Sequence, residues 1–174
     1  MTAAQLAAMG GVAYVRADVD FMQGMIPHHA QALEMTALVP ERTRSRAIRQ
    51  MALRMEISQR DEIALMAGWL TERGEAVPAS ASAGGGPAHT HAHMPGMLTA
   101  AQMTELAAAA DADFDRLFLE FMIQHHEGAL VMVDALFSTE GAGQESEVFQ
   151  FASHVDADQR AEIARMRSLL QALR

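Results

Sequence analysis

One phrase occurs twice in this chain, and the repetition limits the fold more than any other feature. Phe21, Met25-Ile26, His28-His29, Ala32-Leu33 and Met35 return as Phe118, Met122-Ile123, His125-His126, Ala129-Leu130 and Met132, every one at an offset of 97 residues. Asp18 and Asp115 match at the same offset. In the first copy Phe21, Met25, His28, Ala32 and Met35 step along one face of a helix, because side chains three and four apart are neighbours there. A second repeat follows at an offset of 100: Ile48, Ala52, Met55, Gln59, Glu62, Met66, Trp69 against Val148, Ala152, Val155, Gln159, Glu162, Met166, Leu169. Each half of the chain therefore carries a His-bearing helix followed by one with Gln and Glu in its apolar seam.

The helices are predicted over about 12–38, 43–72, 111–137 and 144–173, with a short one from the capping box Thr99-x-x-Gln102 to about Ala109. Pro27 removes an intrahelical bond and predicts a kink that Gly24 can absorb. Val39-Pro40 predicts the first corner, Gly74 ends the second helix, and Asp111 or Asp113 is expected to cap the third long one. The expected architecture is one all-α domain over 1–174. It is a ferritin-like four-helix bundle of two duplicated αα-hairpins, 12–73 and 99–173, joined by a flexible His/Met crossover, 74–98.

At 174 residues the chain can bury one good core, and half of it is apolar. No apolar run reaches the roughly 18–20 residues of a membrane span. A net charge of −9 without a basic tail argues against nucleic acid or an anionic membrane as the main partner. The arginines at 42, 44, 46, 49, 54 and 60 read as a salt-bridged solvated face. With no cysteine there is no thiolate metal site and no cysteine nucleophile. The N-terminus shows no charged region leading into an apolar stretch, which fits either a cytoplasmic chain or one whose signal has been removed. Fourteen methionines and eight histidines point instead to soft and borderline metal ligands.

Three groups of residues could carry that chemistry. Glu62 and Glu162 lie in register with apolar positions, and a buried carboxylate needs a cation. The His pairs of the neighbouring helices can supply it, by a direct bond or through a shared metal; the bland alternative is a rotated seam with both acids solvated. His28, His29, His125 and His126 have Met25 and Met122 one turn earlier, at chelating spacing. Read blandly, they are core histidines satisfied by carboxylates. His89, His91, His93, Met94 and Met97 form either a metal-collecting arm or a low-complexity linker. Asp18 and Asp115, two to three turns from the doublets, read as supporting partners or surface residues.

The Met25-Ile26-Pro27-His28-His29 stretch, Gln59-x-x-Glu62-Ile63-x-x-Met66, Met94-Pro95-Gly96-Met97 and the second His125-His126-x-Gly128-Ala129 resemble the bacterial domain-of-unknown-function family 305, over about Asp18 to Leu170. The resemblance implies a ferritin-like bundle, usually exported and so extracytoplasmic (periplasmic or secreted), with His/Met-rich copper-binding members linked to copper resistance. The ligands it implies are His28, His29, His125 and His126 with Met25, Met122, Met94 and Met97. Gln124 stands where the first copy has Pro27, so the half-sites need not be equivalent.

The leading functional expectation is a non-enzymatic metal-binding protein that buffers or delivers copper, with zinc or iron also open as the ion. A di-metal carboxylate oxidoreductase is the enzymatic alternative. Its Glu-x-x-His motif is absent, since positions 25, 26, 122 and 123 are Met, Ile, Met and Ile. A purely structural bundle with His–Glu core pairs is the third reading. Sequence leaves the oligomeric state undetermined.

Overall fold

Seams of apolar residues at helical spacing become helices whose seams are buried. The computed structural model describes residues 11–82 and 94–173. It is all-α: α1 Arg16–Arg42, α2 Arg46–Glu72, α3 Ala100–Ala108, α4 Asp111–Ser138 and α5 Ser146–Ala172, with a 3-10 turn at Ala79–Ala81 and no strand among the described residues. Ser45 caps α2 by accepting from Ile48 N–H, and Glu145 caps α5 by accepting from Val148 N–H. The Thr99/Gln102 capping box at α3 forms as the sequence predicts.

Three ends differ from the sequence reading. α1 starts at Arg16 rather than near Val12, because the Asp18 carboxylate turns back to accept Val15 N–H at 2.9 Å. α1 also runs through Val39-Pro40 to Arg42, and the corner falls at Thr43–Ser45. Pro40 sits in the last turn, where its missing N–H withholds the usual intrahelical donor from the Thr36 carbonyl. The terminal carbonyls find a donor in Arg49, whose guanidinium reaches Thr43 O at 2.8 Å and Pro40 O at 2.5 Å. Arg49 is thus a helix cap rather than part of a salt-bridged face; of the six arginines in that stripe, Arg60 alone makes an ion pair, with Glu56, among the described residues. Neither Asp111 nor Asp113 caps α4: Ala110 is the N-cap, and Asp111 takes a left-handed φ of 51°.

α1 packs along α2, and α4 along α5; the two hairpins meet mainly through α1 against α4. The helices that carry the His doublets therefore face each other at the centre. Two apolar clusters fill the bundle. One, with Met22, Ile26, Met66, Trp69, Val133 and Phe151, joins the N-terminal half of α1 to the C-terminal half of α4. The other, with Met35, Met55, Leu106, Phe114, Phe118 and Met166, lies at the opposite end. Full burial of such side chains stabilises by about 1.5–3 kcal/mol each. Between them lies a polar layer of His28, His29, His125, His126, Gln59, Glu62 and Gln159, all buried.

Candidate metal centre

Each doublet splits its work. His29 and His126 turn outward across their own hairpins: His29 Nε2 lies 2.5 Å from Glu62 Oε2, and His126 Nε2 lies 2.5 Å from Glu162 Oε2. The two pairs are not equally dry, for the Glu62 side chain is 5% exposed and that of Glu162 22%. His28 and His125 turn inward and meet, with ring centroids 4.0 Å apart at an interplanar angle of 40°.

His28 Nε2–H donates to Pro95 O at 2.9 Å. A carbonyl can only accept, so this bond fixes the tautomer and leaves Nδ1 as a lone pair. His28 Nδ1, His29 Nδ1, His126 Nδ1 and both ring nitrogens of His125 are buried without a hydrogen-bond partner among the described residues. Burial lowers the His28 pKa from 6.5 to about 3, offset in part by the Pro95 carbonyl and reinforced by the neighbouring His29 and His126. Burial, then the imidazoles of His28, His126 and His29, pushes His125 well below its ordinary value too, offset only slightly by the nearby His28 carbonyl, which lies outside hydrogen-bond geometry. Both rings are neutral at physiological pH and so have a nitrogen lone pair available.

Met25 and Met122 are fully buried one turn before the doublets. Met94 is half-buried, and its Sδ lies 3.9 Å from where a Cβ on Gly24 would sit, one turn before His28. Met97 is buried. His89, His91 and His93 lie outside the described residues. Within the central layer no three His or carboxylate donor atoms come within 4.8 Å of one another among the described residues. The two inward rings bring together two imidazoles rather than the three or four clustered donors of a tetrahedral site.

The sequence reading missed what holds His28. The segment Met94–Leu98 lies as a strap between α1 and α4. Gln31 grips it from one side, donating to Leu98 O at 3.1 Å and accepting Leu98 N–H at 2.8 Å. On the other side Gln124 donates to Gly96 O at 3.4 Å and accepts from Gln102 at 3.1 Å. Gly96 and Gly128 make the approach possible: a Cβ on Gly128 would lie 2.0 Å from Pro95 O, and one on Gly96 2.5 Å from Gln124 O. A glycine inside a helix was the available signal, since it costs helix stability and usually marks a close backbone approach. Asp18 is likewise neither a surface residue nor a partner of the histidines. It is fully buried and joins the start of α1 to the α4–α5 loop through Gly143 N–H at 2.7 Å.

Fold and site together define an all-α protein with a buried imidazole layer supplied by the two copies of the repeat. The chain belongs to the family described as Domain of unknown function (DUF305), whose model matches residues 18–170. A crystal structure of a DUF305 fragment from Deinococcus radiodurans superposes with a TM-score of 0.77 at 31% identity, covering 91% of this chain and 98% of that one. A DUF305 protein from Streptomyces coelicolor, thought to be secreted, gives 0.74 at 29% identity over 90% of this chain and 93% of its own. CopM in its Cu(II)-bound form gives 0.73 at 26% identity, covering 90% and 97%. CopM is also similar in Cu(I)-bound and Ag-bound forms. A mimivirus protein, L153 of Acanthamoeba polyphaga mimivirus, is 41% identical over 56 residues, which is 32% of this chain and only 37% of that protein's length.

Proposed function

We propose that the chain is a non-enzymatic copper carrier or buffer that holds Cu(I) between α1 and α4. His28 and His125 are the central ligands in this reading. Met25, Met122, Met94 and Met97 supply thioethers, and His29 and His126 flank the site. Glu62 and Glu162 orient the two flanking rings through their Nε2 atoms, as carboxylates do for metal-binding histidines elsewhere. The carrying observation is the set of buried ring nitrogens without partners. Each would cost about 1–3 kcal/mol if left permanently unmet, and His125 has neither nitrogen bonded. The alternative of a purely structural His–Glu core accounts for the Nε2 atoms of His29 and His126 and leaves that cost at the Nδ1 atoms of all four rings, and at His125 Nε2, unexplained.

Thioether and imidazole donors, in a site without a compact three-donor carboxylate and imidazole group, fit a soft ion of low coordination number. The copper-bound and silver-bound forms of CopM support the same choice. His89, His91 and His93 would form a collecting arm, with export as the cellular setting; the resemblance to the S. coelicolor protein supports the latter.

The test is an anaerobic Cu(I) titration against a chromogenic chelator. It compares the wild type, His125→Leu (similar volume, no nitrogen) and a full-length variant with His89, His91 and His93 changed to alanine. Circular dichroism checks that each remains helical. Loss of tight binding in His125→Leu is expected. Loss confined to the arm variant would overturn the core site.

A further inference from the structure

We infer a second, divalent cation site on the opposite face of Glu62, formed by Glu62 of α2 with His154 and Asp158 of α5. Its donor atoms, one from each residue, all lie within 4.8 Å of one another. His154 and Asp158 are one turn apart on α5, with Nε2 and Oδ2 separated by 3.1 Å, the i, i+4 spacing by which a helix presents two ligands to one ion. Taken alone the pair would be an ordinary solvated contact, for its side chains are 63% and 46% exposed.

Glu62 changes that assessment. It is a buried carboxylate, 4% exposed, and its hydrogen bond to His29 uses Oε2. Oε1 accepts no hydrogen bond from any described residue. A second carboxylate, Asp158, stands beside this buried one, with the His154 imidazole in reach of both and no arginine paired to either among the described residues. Two carboxylates and one imidazole from two helices, converging where Glu62 Oε1 has no protein donor, form a ligand set that one cation can bridge. Metal–ligand distances near 2.0–2.2 Å require the donors to close by roughly 1 Å, which the exposed His154 and Asp158 rotamers can supply. One imidazole and two carboxylates are borderline-hard donors, so the class of ion is Zn(II) or Cu(II) rather than the soft Cu(I) of the core.

The internal repeat provides a built-in comparison. At the offset of 100, Arg54 and Ser58 occupy the positions of His154 and Asp158. The half of the molecule around Glu162 therefore has a fixed positive side chain and a hydroxyl where this half has two metal ligands, and no three-donor group forms there among the described residues. The site also borders a groove of about 550 Å³ between α2 and α5 that His154 lines together with Glu72 and Glu147, so a cation can reach it from solvent.

The experiment uses Zn(II), titrated calorimetrically into the full chain whose His89, His91 and His93 are alanine, so that the arm does not compete. The site predicts one equivalent bound, lost in the same chain with His154→Ala and weakened about 10–100-fold by Asp158→Asn. Both substituted positions are solvent-facing, so the helical signal should stay unchanged. Zn(II) binding that is the same with and without His154 would overturn the site, as would no Zn(II) binding at all. The core reading fails separately, through Cu(I) affinity unchanged in His125→Leu.

Discussion

Gly128→Ala is the substitution that best separates a mere helix residue from a strap seat. In an ordinary exposed helix interior, Gly to Ala stabilises by about 0.5–1 kcal/mol. Gly68 of α2 is such a place, exposed with nothing within 4 Å of a built Cβ. At Gly128 the new methyl would meet Pro95 O at 2.0 Å, Pro95 C at 2.4 Å and Gly96 Cα at 2.5 Å. These are backbone atoms, which cannot rotate aside, so the strap must lift. Lifting it breaks the His28–Pro95 bond and the Gln124–Gly96 contact, each worth about 0.5–1.5 kcal/mol. Residual overpacking adds about 1–3 kcal/mol. Set against the helix gain, the net expectation is about 1–5 kcal/mol of destabilisation, opposite in sign to Gly68→Ala. Urea unfolding of the metal-free chain reads both variants, and Cu(I) affinity should fall in Gly128→Ala alone because His28 loses the carbonyl that fixes its tautomer. If Gly128→Ala stabilises the protein as Gly68→Ala does, the strap has no energetic role and the account of His28 fails with it.

The buried imidazoles make the metal-free protein acid-sensitive. His28 titrates at about 3 when folded and near 6.5 when unfolded, and His125 is depressed in the same direction, so the unfolded state binds more protons. Stability should be full above pH 6.5 and fall as pH drops toward 3, by about 1.4 kcal/mol per pH unit for each of the two rings. Urea midpoints measured from pH 7.5 down to 4.5 check this, and a profile no steeper for wild type than for His125→Leu would refute it. Glu62→Ala should cost about 2–4 kcal/mol and Glu162→Ala about 1–2, since the first leaves its imidazole in a dry site and the second admits water; thermal or urea unfolding of both variants decides the order. Asp18→Ala should cost about 2–4 kcal/mol through two lost charge-assisted bonds. Asp115→Asn should cost less than Asp18→Ala, because Asp115 Oδ1 has no hydrogen bond to lose; equal losses in the two unfolding curves would contradict this.

The parts that could be read from sequence were those repeated in it. Seven positions of the α2 seam, from Ile48 through Gln59 and Glu62 to Trp69, read as one stripe and are all buried. The matching acid on α5, Glu162, is wetter, and nothing in the repeat signals the difference. What escaped detection depends on tertiary approach rather than periodicity. No pattern shows that Arg49 caps α1 across a corner, or that Asp18 reaches a loop 125 residues further on. The departure at Gln124 was visible, yet its reason lies in the crossover, where Gln124 holds the Gly96 carbonyl. His154 and Asp158 carried no repeat signal because their counterparts are Arg54 and Ser58.

The two copies of the repeat are not used symmetrically, and the differences fall where the strap lies. Gln31 and Gly128 are equivalent by the offset of 97, but one grips the strap with its side chain and the other yields to it by having none. Pro27 and Gln124 divide in the same way, the first buried in α1 and the second bonded to the strap. The strap then gives His28 a carbonyl partner and leaves its twin His125 with both nitrogens unpartnered. The two inward imidazoles are alike in burial and in depressed basicity, and unlike in how firmly they are held. An ion entering between them would meet one oriented lone pair and one ring free to choose either nitrogen. In the proposed copper site that combination would let His125 adjust to the ion while His28 stays fixed by the strap.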